Sequence, residues 1–332
     1  MNRRNTLVAL FALGAATGSL VARAQQPERM RRIGILMSLA ANDPVMHPEV
    51  KALEQGLQEL GWADGRNMKL EYRWAAAKAD LIQVFAKELV DRHLDVIVAR
   101  TTPVTAALLR ETRAIPIVFV QVSDQVGDGF VKSLAWPGGN ATGFTNIESS
   151  MSGKWLELLK EIVPGIKRVA FIYNPATAPT GGSFFLRPFE AAAPSFRVEA
   201  IAAPVHDVAG IEATIGAVAR QSGSGLIVSP GNFLLAHRNL VVELVARHRL
   251  PAIYPFTFWT DHGGLISYGT DTPDLFRRAA SYIDRILRGA KPSDLPVQAP
   301  TKFELAINLK TAKALGLKIP KSILLRADRV IE

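Results

Sequence analysis

The chain carries the same order of apolar and amphipathic segments twice, once in each half. The first half contains the apolar runs RIGILMS, DVIVART and IPIVFVQ, and the second half contains RVAFIYN, GLIVSPG and LPAIYPF. Between these runs lie segments whose apolar residues recur with the spacing of an amphipathic helix. Continuously apolar strands that alternate with helices are typical of parallel sheets buried on both faces. The repeat therefore predicts an α/β fold of two doubly wound, Rossmann-like lobes, each with its own parallel sheet.

The chain is expected to pass between the lobes more than once. After the second set of strands, the segment GGLISYGTD predicts a further strand, Pro273 opens a helix, and the proline-rich segment KPSDLPVQAPT leads to a last strand and helix. We assign residues 30–145 and 268–300 to the first lobe and residues 146–267 and 301–332 to the second. A hinge of several strands follows, which limits motion mostly to opening and closing.

The N-terminal segment has the pattern of a secretory signal peptide. Arg3 and Arg4 precede an apolar stretch, and an Ala-Arg-Ala sequence ends at Ala24. The stretch is shorter than the ~18 residues that a membrane-spanning helix needs. We expect residues 1–24 to be cleaved off after Ala24 and the mature chain to be soluble in the periplasm. The paired arginines are also a feature of twin-arginine export signals, but we favour the ordinary Sec route.

Composition excludes several classes of function. Apolar residues make up 48% and charged residues 21% of the chain, which is typical of globular proteins and disfavours disorder. Cysteine is absent from the sequence, which excludes disulfides, thiolate metal sites and cysteine nucleophiles. Cleavage after Ala24 removes three arginines and no acidic residue, so the formal net charge falls from +9 to +6. Because the remaining basic residues are dispersed among acidic ones, we expect no nucleic-acid partner.

Small polar residues follow the apolar runs, at the strand ends where open α/β sheets bind their ligands. These candidates are Ser38, Thr101, Thr102, Ser123 and Asp124 in the first lobe, and Asn174 and Ser229 in the second. Pro103 opens a helix directly after Thr102, so free amides and the positive helix end would suit a carboxylate there. Alternatively, one threonine only caps that helix and Asn174 only turns the chain. The joint placement of these residues at strand ends favours a site.

Aromatic residues gather at two places that are candidates for a pocket wall. Trp74 ends the second predicted strand, and Phe256, Phe258, Trp259 and Tyr268 surround the second passage between the lobes. For each of them, a place in the core and a contact with ligand are equally good interpretations. Arg100 closes a buried strand, where it contacts an anion or pairs with a nearby carboxylate, and we favour the pairing.

The sequence lacks the motifs of the common enzyme classes. It contains no nucleophile elbow, zinc-protease helix, phosphate-binding loop or dinucleotide fingerprint. His237 and His248 lie on one predicted helical segment but are too far apart for one metal ion. We therefore predict a small-molecule binding protein with no catalytic residues, metal or cofactor. The alternative is an exported hydrolase or isomerase that uses Asp124 or Asp271 as an acid or base.

Long segments of the chain resemble the substrate-binding proteins of ABC transporters, in the group with tryptophan- and tyrosine-binding members. Examples are IPIVFVQVSDQVGDGFVKSLAWPGGNATGFT, GKWLELLKEIVP and DLPVQAPTKFELAINLKTAKALGL. The resemblance covers essentially the whole mature chain and implies the periplasmic-binding-protein type I fold. It also implies a protein that clamps a small carboxylate-bearing, amino-acid-like or aromatic ligand and delivers it to an ABC permease in the inner membrane. We expect a monomer. The sensor half of a transcription regulator is disfavoured by the export signal.

The resemblance also implies a set of ligand contacts, to which the residue analysis adds Trp74. The implied contacts are Ser38, Thr101, Thr102, Ser123, Asp124, Asn146, Asn174, Ser229, Phe256, Tyr268 and Asp271. Relatives commonly carry Asp-Pro where this chain has Asp124 followed by Gln125. Because the missing proline frees the backbone, the geometry of the loop at Asp124 is left open.

Overall fold

The computed structural model describes residues 29–332, so the predicted signal peptide lies outside the described residues. Residues Arg31–Glu332 form one compact unit with two β-sheets. Its strands are β1 (Arg31–Met37), β2 (Met68–Trp74), β3 (Val96–Arg100), β4 (Ile117–Val122), β5 (Ala141–Thr145), β6 (Arg168–Tyr173), β7 (Glu199–Pro204), β8 (Ser224–Val228), β9 (Ala252–Tyr254), β10 (Ile266–Thr270), β11 (Phe303–Asn308) and β12 (Arg329–Ile331).

The helices lie between the strands, as the repeated pattern predicts. They are α1 (Met46–Glu59), α2 (Ala79–Asp91), α3 (Thr102–Glu111), α4 (Met151–Ile162), α5 (Ser183–Ala192), α6 (Val208–Ala219), α7 (Asn232–Ala236), α8 (Arg238–Arg247), α9 (Thr257–Asp261), α10 (Thr272–Leu287), α11 (Leu309–Ala314) and α12 (Lys321–Arg326). Within residues 29–332, no helix is both long enough and apolar enough to cross a membrane.

The first sheet has the strand order β2-β1-β3-β4-β5, and all its neighbouring strands are parallel. Every residue of β3 and β4 is buried, as expected for strands covered on both faces. Helices α1 and α10 pack on one face of this sheet, and α2 and α3 pack on the other. The sequence prediction of a doubly wound first lobe is confirmed.

The second sheet has the order β12-β11-β10-β9-β8-β6-β7 and forms the second lobe. Its strands are parallel except at the pair of β10 and β11. The chain leaves β10 at the hinge, passes through the first lobe and returns to β11 at the same end of the sheet. It therefore runs back along β10 in the opposite direction. The prediction of a second lobe with a parallel sheet is confirmed for β6 to β10, whereas β11 and β12 both run in the opposite direction.

Three segments connect the lobes, and they contact one another. The first follows β5 at Asn146, the second follows β10 at Asp271, and the third precedes β11 at Lys302. Thr270 donates from its hydroxyl to Asn146 Oδ1 at 3.2 Å, and the Asp271 amide donates to the Lys302 carbonyl at 3.1 Å. Because all of β10 pairs within the second sheet, the chain crosses after Thr270, slightly later than the boundary predicted at residue 268.

Candidate ligand-binding site

A cavity lies between the two lobes, where the carboxyl ends of strands from both sheets meet. It contains about 410 Å³ of empty space, part of which is open to solvent. Its lining consists of Thr101, Thr102, Pro103, Gln121, Ser123, Asn146, Thr177, Pro179, Pro230, Gly231, Asn232, Leu235 and Phe256. These residues are uncharged and mostly polar or small, with one aromatic ring. This is the position at which open α/β sheets bind ligands.

Thr101 and Thr102 form the start of helix α3 at the wall of this cavity. Thr101 is the residue before the helix, α3 begins at Thr102, and Pro103 lies in the first turn, as predicted. Neither threonine caps the helix with its side chain. Instead, Thr101 Oγ1 accepts a hydrogen bond from Asn232 Nδ2 at 3.0 Å. First-turn amides have no intrahelical acceptor, so those of Thr102 and Val104 are suited to bind an anion. The simpler interpretation of a side-chain helix cap is wrong.

Three residues at or near the carboxyl ends of strands β3 and β4, next to the cleft between the lobes, have a positive backbone φ. Thr101 has φ 79° and ψ 162°, Gln121 has φ 60° and Asp124 has φ 54°. Non-glycine residues held in such conformations cost about 1–3 kcal/mol each and cluster at functional sites. At Gln121 the pairing of β4 with β5 also shifts register. The first lobe thus holds strained backbone where its strands meet the cleft.

A buried ionic network supports this wall from behind. Glu49 on α1 is 0% exposed and Arg100 is 1% exposed. Arg100 donates to both oxygens of Glu49, at 2.7 and 3.2 Å, and to Ser38 Oγ at 2.7 Å. Gln121 Nε2 donates to Glu49 Oε1 at 2.7 Å. The pairing of Arg100 with a carboxylate is confirmed, and Ser38 lies behind the cavity wall rather than on it because its hydroxyl contacts Arg100.

The two lobes contact each other across the cleft. Arg238 on α8 donates two hydrogen bonds to Asp43, at 2.9 and 3.1 Å, and both side chains are largely buried. Thr101 and Asn232 form the hydrogen bond described above, and Leu235 packs into the core of the first lobe. The structure therefore has the closed arrangement of the two lobes.

Five of the twelve predicted ligand contacts line the cavity. They are Thr101, Thr102, Ser123, Asn146 and Phe256. Two candidates of the second lobe lie just outside it, because their side chains bond to nearby backbone. Asn174 donates to the Val205 carbonyl at 2.8 Å and accepts from the Thr177 amide, so it holds the turn, as its alternative interpretation proposed. Ser229 donates to the adjacent Pro230 carbonyl.

Among the twelve predicted contacts, the other two aromatic residues and the two acidic residues do not line this cavity either. Trp74 stacks on Tyr72 with ring centroids 5.5 Å apart, and Tyr268 stacks on Phe303 at 6.1 Å. Both rings pack against core clusters.

The acidic candidates are engaged by their own loops. Asp124 accepts from the Gly127 amide at 3.1 Å and lines an adjoining cavity with Ser123. Asp271 accepts from the Asp274 amide at the start of α10 and forms a salt bridge with Lys302. Both carboxylates therefore have hydrogen-bond or ionic partners within the protein and need no ligand as a partner.

Sequence reasoning missed Gln121, Asn232 and Thr177 among the lining residues. Gln121 had a signal, since it is the polar residue inside the otherwise apolar run IPIVFVQV. Asn232 follows a predicted strand by a few residues, so its position at the cavity depends on the loop conformation.

Asp128 lies at the flank of the cleft, in a second cavity that it shares with Thr102 and Thr180. Burial raises the pKa of Asp128 to about 6, and the charge of Asp124 adds to this shift. A backbone hydrogen bond from Thr180 opposes it. Among residues 29–332, no group of three histidine or acidic side chains is arranged to hold a metal ion.

The family model and the curated relative that match this chain are both described as binding proteins. A family model described as "ABC transporter substrate binding protein" matches residues 33–331. The "Tyrosine-binding protein" of Clostridioides difficile (strain R20291) is 27% identical over 291 residues, which are 88% of this chain and 82% of that protein.

Two solved structures match with a TM-score of 0.84 and 26% identity, covering 91% of this chain and 100% of theirs. They are the ABC domain from Streptococcus pneumonia in complex with L-Trp and a conserved domain protein from Vibrio cholerae O1 biovar eltor. The expected periplasmic-binding-protein type I fold is confirmed.

Proposed function

Since the chain belongs to the family of ABC transporter substrate-binding proteins, we propose that it binds an aromatic L-amino acid, tryptophan or tyrosine, between its lobes. The mature protein then works in the periplasm as a monomer and delivers this ligand to an ABC permease in the inner membrane. The signal-peptide pattern of residues 1–24 supports the location. The relatives that bind L-Trp or are named for tyrosine support the ligand class.

The observation that carries the proposal is the uncharged cavity at the strand ends. A zwitterionic amino acid has no net charge, so it needs no charged side chain to balance it. The start of α3 offers a place for the carboxylate, because the amides of Thr102 and Val104 have no intrahelical acceptor. Phe256 offers a ring against which an aromatic side chain can pack.

Binding is proposed to stabilise the closed arrangement. Only when the lobes are closed do groups from both of them contact the ligand, so the ligand shifts the open-closed equilibrium. The ion pair of Asp43 with Arg238 and the hydrogen bond of Thr101 with Asn232 form across the same cleft. These bonds would break on opening, so they contribute to the free energy of closure.

The alternative of an exported enzyme is not supported. The matching family consists of binding proteins, and the protein is not an enzyme. Asp124 and Asp271, the acid or base of that hypothesis, are held by loop amides and, for Asp271, by Lys302.

Isothermal titration calorimetry of the mature chain tests the proposal. The titrants are L-tryptophan, L-tyrosine and L-phenylalanine, with L-alanine, indole and glucose as controls. We expect saturable 1:1 binding of at least one of the first two, and much weaker binding of alanine, which lacks the ring, and of indole, which lacks the zwitterion. Tight binding of glucose, or no binding of any aromatic amino acid, would contradict the proposed function.

A further inference from the structure

The cavity wall contains a locked hydrogen-bond acceptor at Gln121. We infer that Gln121 Oε1 recognises the ammonium group of the ligand and that Glu49 fixes it in this role. The inference rests on the proposed function and deepens it, since it assigns the group that distinguishes an amino acid from a carboxylic acid of the same shape.

The orientation of the Gln121 amide follows from its partner. Gln121 Nε2 lies 2.7 Å from Glu49 Oε1, and the salt-bridged carboxylate of Glu49 can only accept hydrogen bonds. The amide atom that faces Glu49 is therefore the nitrogen. Reversing the amide would bring two acceptor oxygens together inside the core, which is unfavourable because neither has a proton to share.

The oxygen of the same amide is left for the cavity. Gln121 lines the cavity although it is only 6% exposed. Within residues 29–332, its Oε1 makes no hydrogen bond. An amide oxygen accepts up to two hydrogen bonds, and an ammonium group donates three. A neutral acceptor suits the ammonium of a zwitterion in a cavity whose lining is uncharged.

The backbone conformation of Gln121 determines the direction of its side chain. Gln121 has φ 60°, and the register of β4 against β5 shifts between Val120 and Val122. Such irregularities in a strand re-aim a side chain and are enriched next to binding sites. The strained conformation thus gives a glutamine in a buried strand access both to Glu49 and to the cavity.

Asn232 offers a competing amide oxygen across the cleft, but its orientation is not locked. Its Nδ2 faces the hydroxyl of Thr101, which can donate as well as accept. The Asn232 amide can therefore reverse without losing this hydrogen bond. Gln121 cannot reverse in the same way, so it is the better-defined acceptor for a cation.

The test compares L-tryptophan with indole-3-propionate, which has the same ring and carboxylate but no amino group. Gln121→Met keeps the length of the side chain and removes the amide. Loss of one hydrogen bond to a charged group predicts about ten- to a hundredfold weaker binding of tryptophan. Binding of indole-3-propionate should change less than about threefold, because this probe does not use the acceptor.

Gln125→Met is the matched control. Gln125 is another buried glutamine of the same lobe, but it lines the adjoining cavity instead. Gln125→Met should leave the ratio of the affinity for L-tryptophan to the affinity for indole-3-propionate unchanged. If Gln121→Met does not fold, Gln121→Asn, which withdraws the amide by one methylene, should also lower the ratio.

Equal losses for both probes, or no loss for tryptophan, would overturn the inference while leaving the proposed function intact. If the wild-type chain binds tryptophan no more tightly than indole-3-propionate, the inference also fails. Absence of binding to any aromatic amino acid would instead refute the proposed function itself.

Discussion

Thr101→Val should weaken ligand binding far more than it weakens the fold. Valine keeps the branched shape of threonine but removes Oγ1, which accepts from Asn232 Nδ2 at 3.0 Å across the cleft. Asn232 is 6% exposed in the closed arrangement, so its amide would be buried without this partner. An unsatisfied buried donor costs about 1–3 kcal/mol. The open form lets water reach the amide, so this cost falls on the closed form.

The predicted change in affinity follows from that cost. At 1.4 kcal/mol per factor of ten, Thr101→Val should weaken binding about five- to a hundredfold. The free energy of unfolding without ligand should change by less than about 0.5 kcal/mol, since the Thr101 side chain does not cap α3. Thr102→Val provides the comparison, because its hydroxyl makes only a long contact of 3.5 Å with the Ser123 carbonyl. Any large loss of affinity there reports a direct contact with ligand.

Calorimetry with L-tryptophan and urea unfolding without ligand measure the two quantities separately. The reasoning is refuted if Thr101→Val binds L-tryptophan like wild type, and most clearly if it does so while either threonine variant unfolds at lower urea. That result would mean that the threonines stabilise the helix and do not serve the cleft.

Three further predictions concern the groups around the cavity. Glu49→Gln leaves the Arg100 charge buried without its partner and should lower the free energy of unfolding by about 3–5 kcal/mol in urea titrations. Glu243→Gln, which removes one partner of an exposed ion pair, should lower it by less than about 1 kcal/mol. Similar losses in the two variants would refute the prediction that the buried pair matters more. Asp43→Asn should raise the dissociation rate about tenfold or more in stopped-flow experiments, because the closed form loses its ion pair with Arg238; an unchanged rate would contradict a role in closure. The pKa of Asp128 is raised from 3.8 to about 6 in the folded state, so the folded protein loses stability as this carboxyl ionises between pH 4 and 6. In urea unfolding, the stability of Asp128→Asn relative to wild type should therefore increase from pH 4 to pH 6. A difference in free energy of unfolding that stays constant with pH would count against the raised pKa.

Much of the fold could be predicted because burial on both faces makes a strand continuously apolar. The run DVIVART, followed by Thr102 and Pro103, predicts a strand, a turn and a helix start, and the structure has them at β3 and α3. The antiparallel direction of β11 could not be predicted in this way, because an apolar pattern does not record strand direction. That direction depends on where the chain returns from the first lobe.

The cavity was harder to predict, since the same residue type serves several purposes at a strand end. Asn174 and Thr101 both follow apolar strands, but Asn174 bonds to its own loop and Thr101 bonds across the cleft. Likewise, the pattern cannot tell that Trp74 packs on Tyr72 while Phe256 lines the cavity. Gln121 was missed because its access to the cavity depends on a left-handed backbone conformation, which a regular strand pattern does not predict.

A crystal structure of residues 25–332 with saturating L-tryptophan tests the central claim most directly. The account predicts one tryptophan between closed lobes, with its carboxylate at the amides of Thr102 and Val104 and its ammonium group at Gln121 Oε1. The ion pair of Asp43 with Arg238 should be intact in that complex. A tryptophan bound outside the cleft, or a fully occupied site between lobes that remain open, would contradict the account.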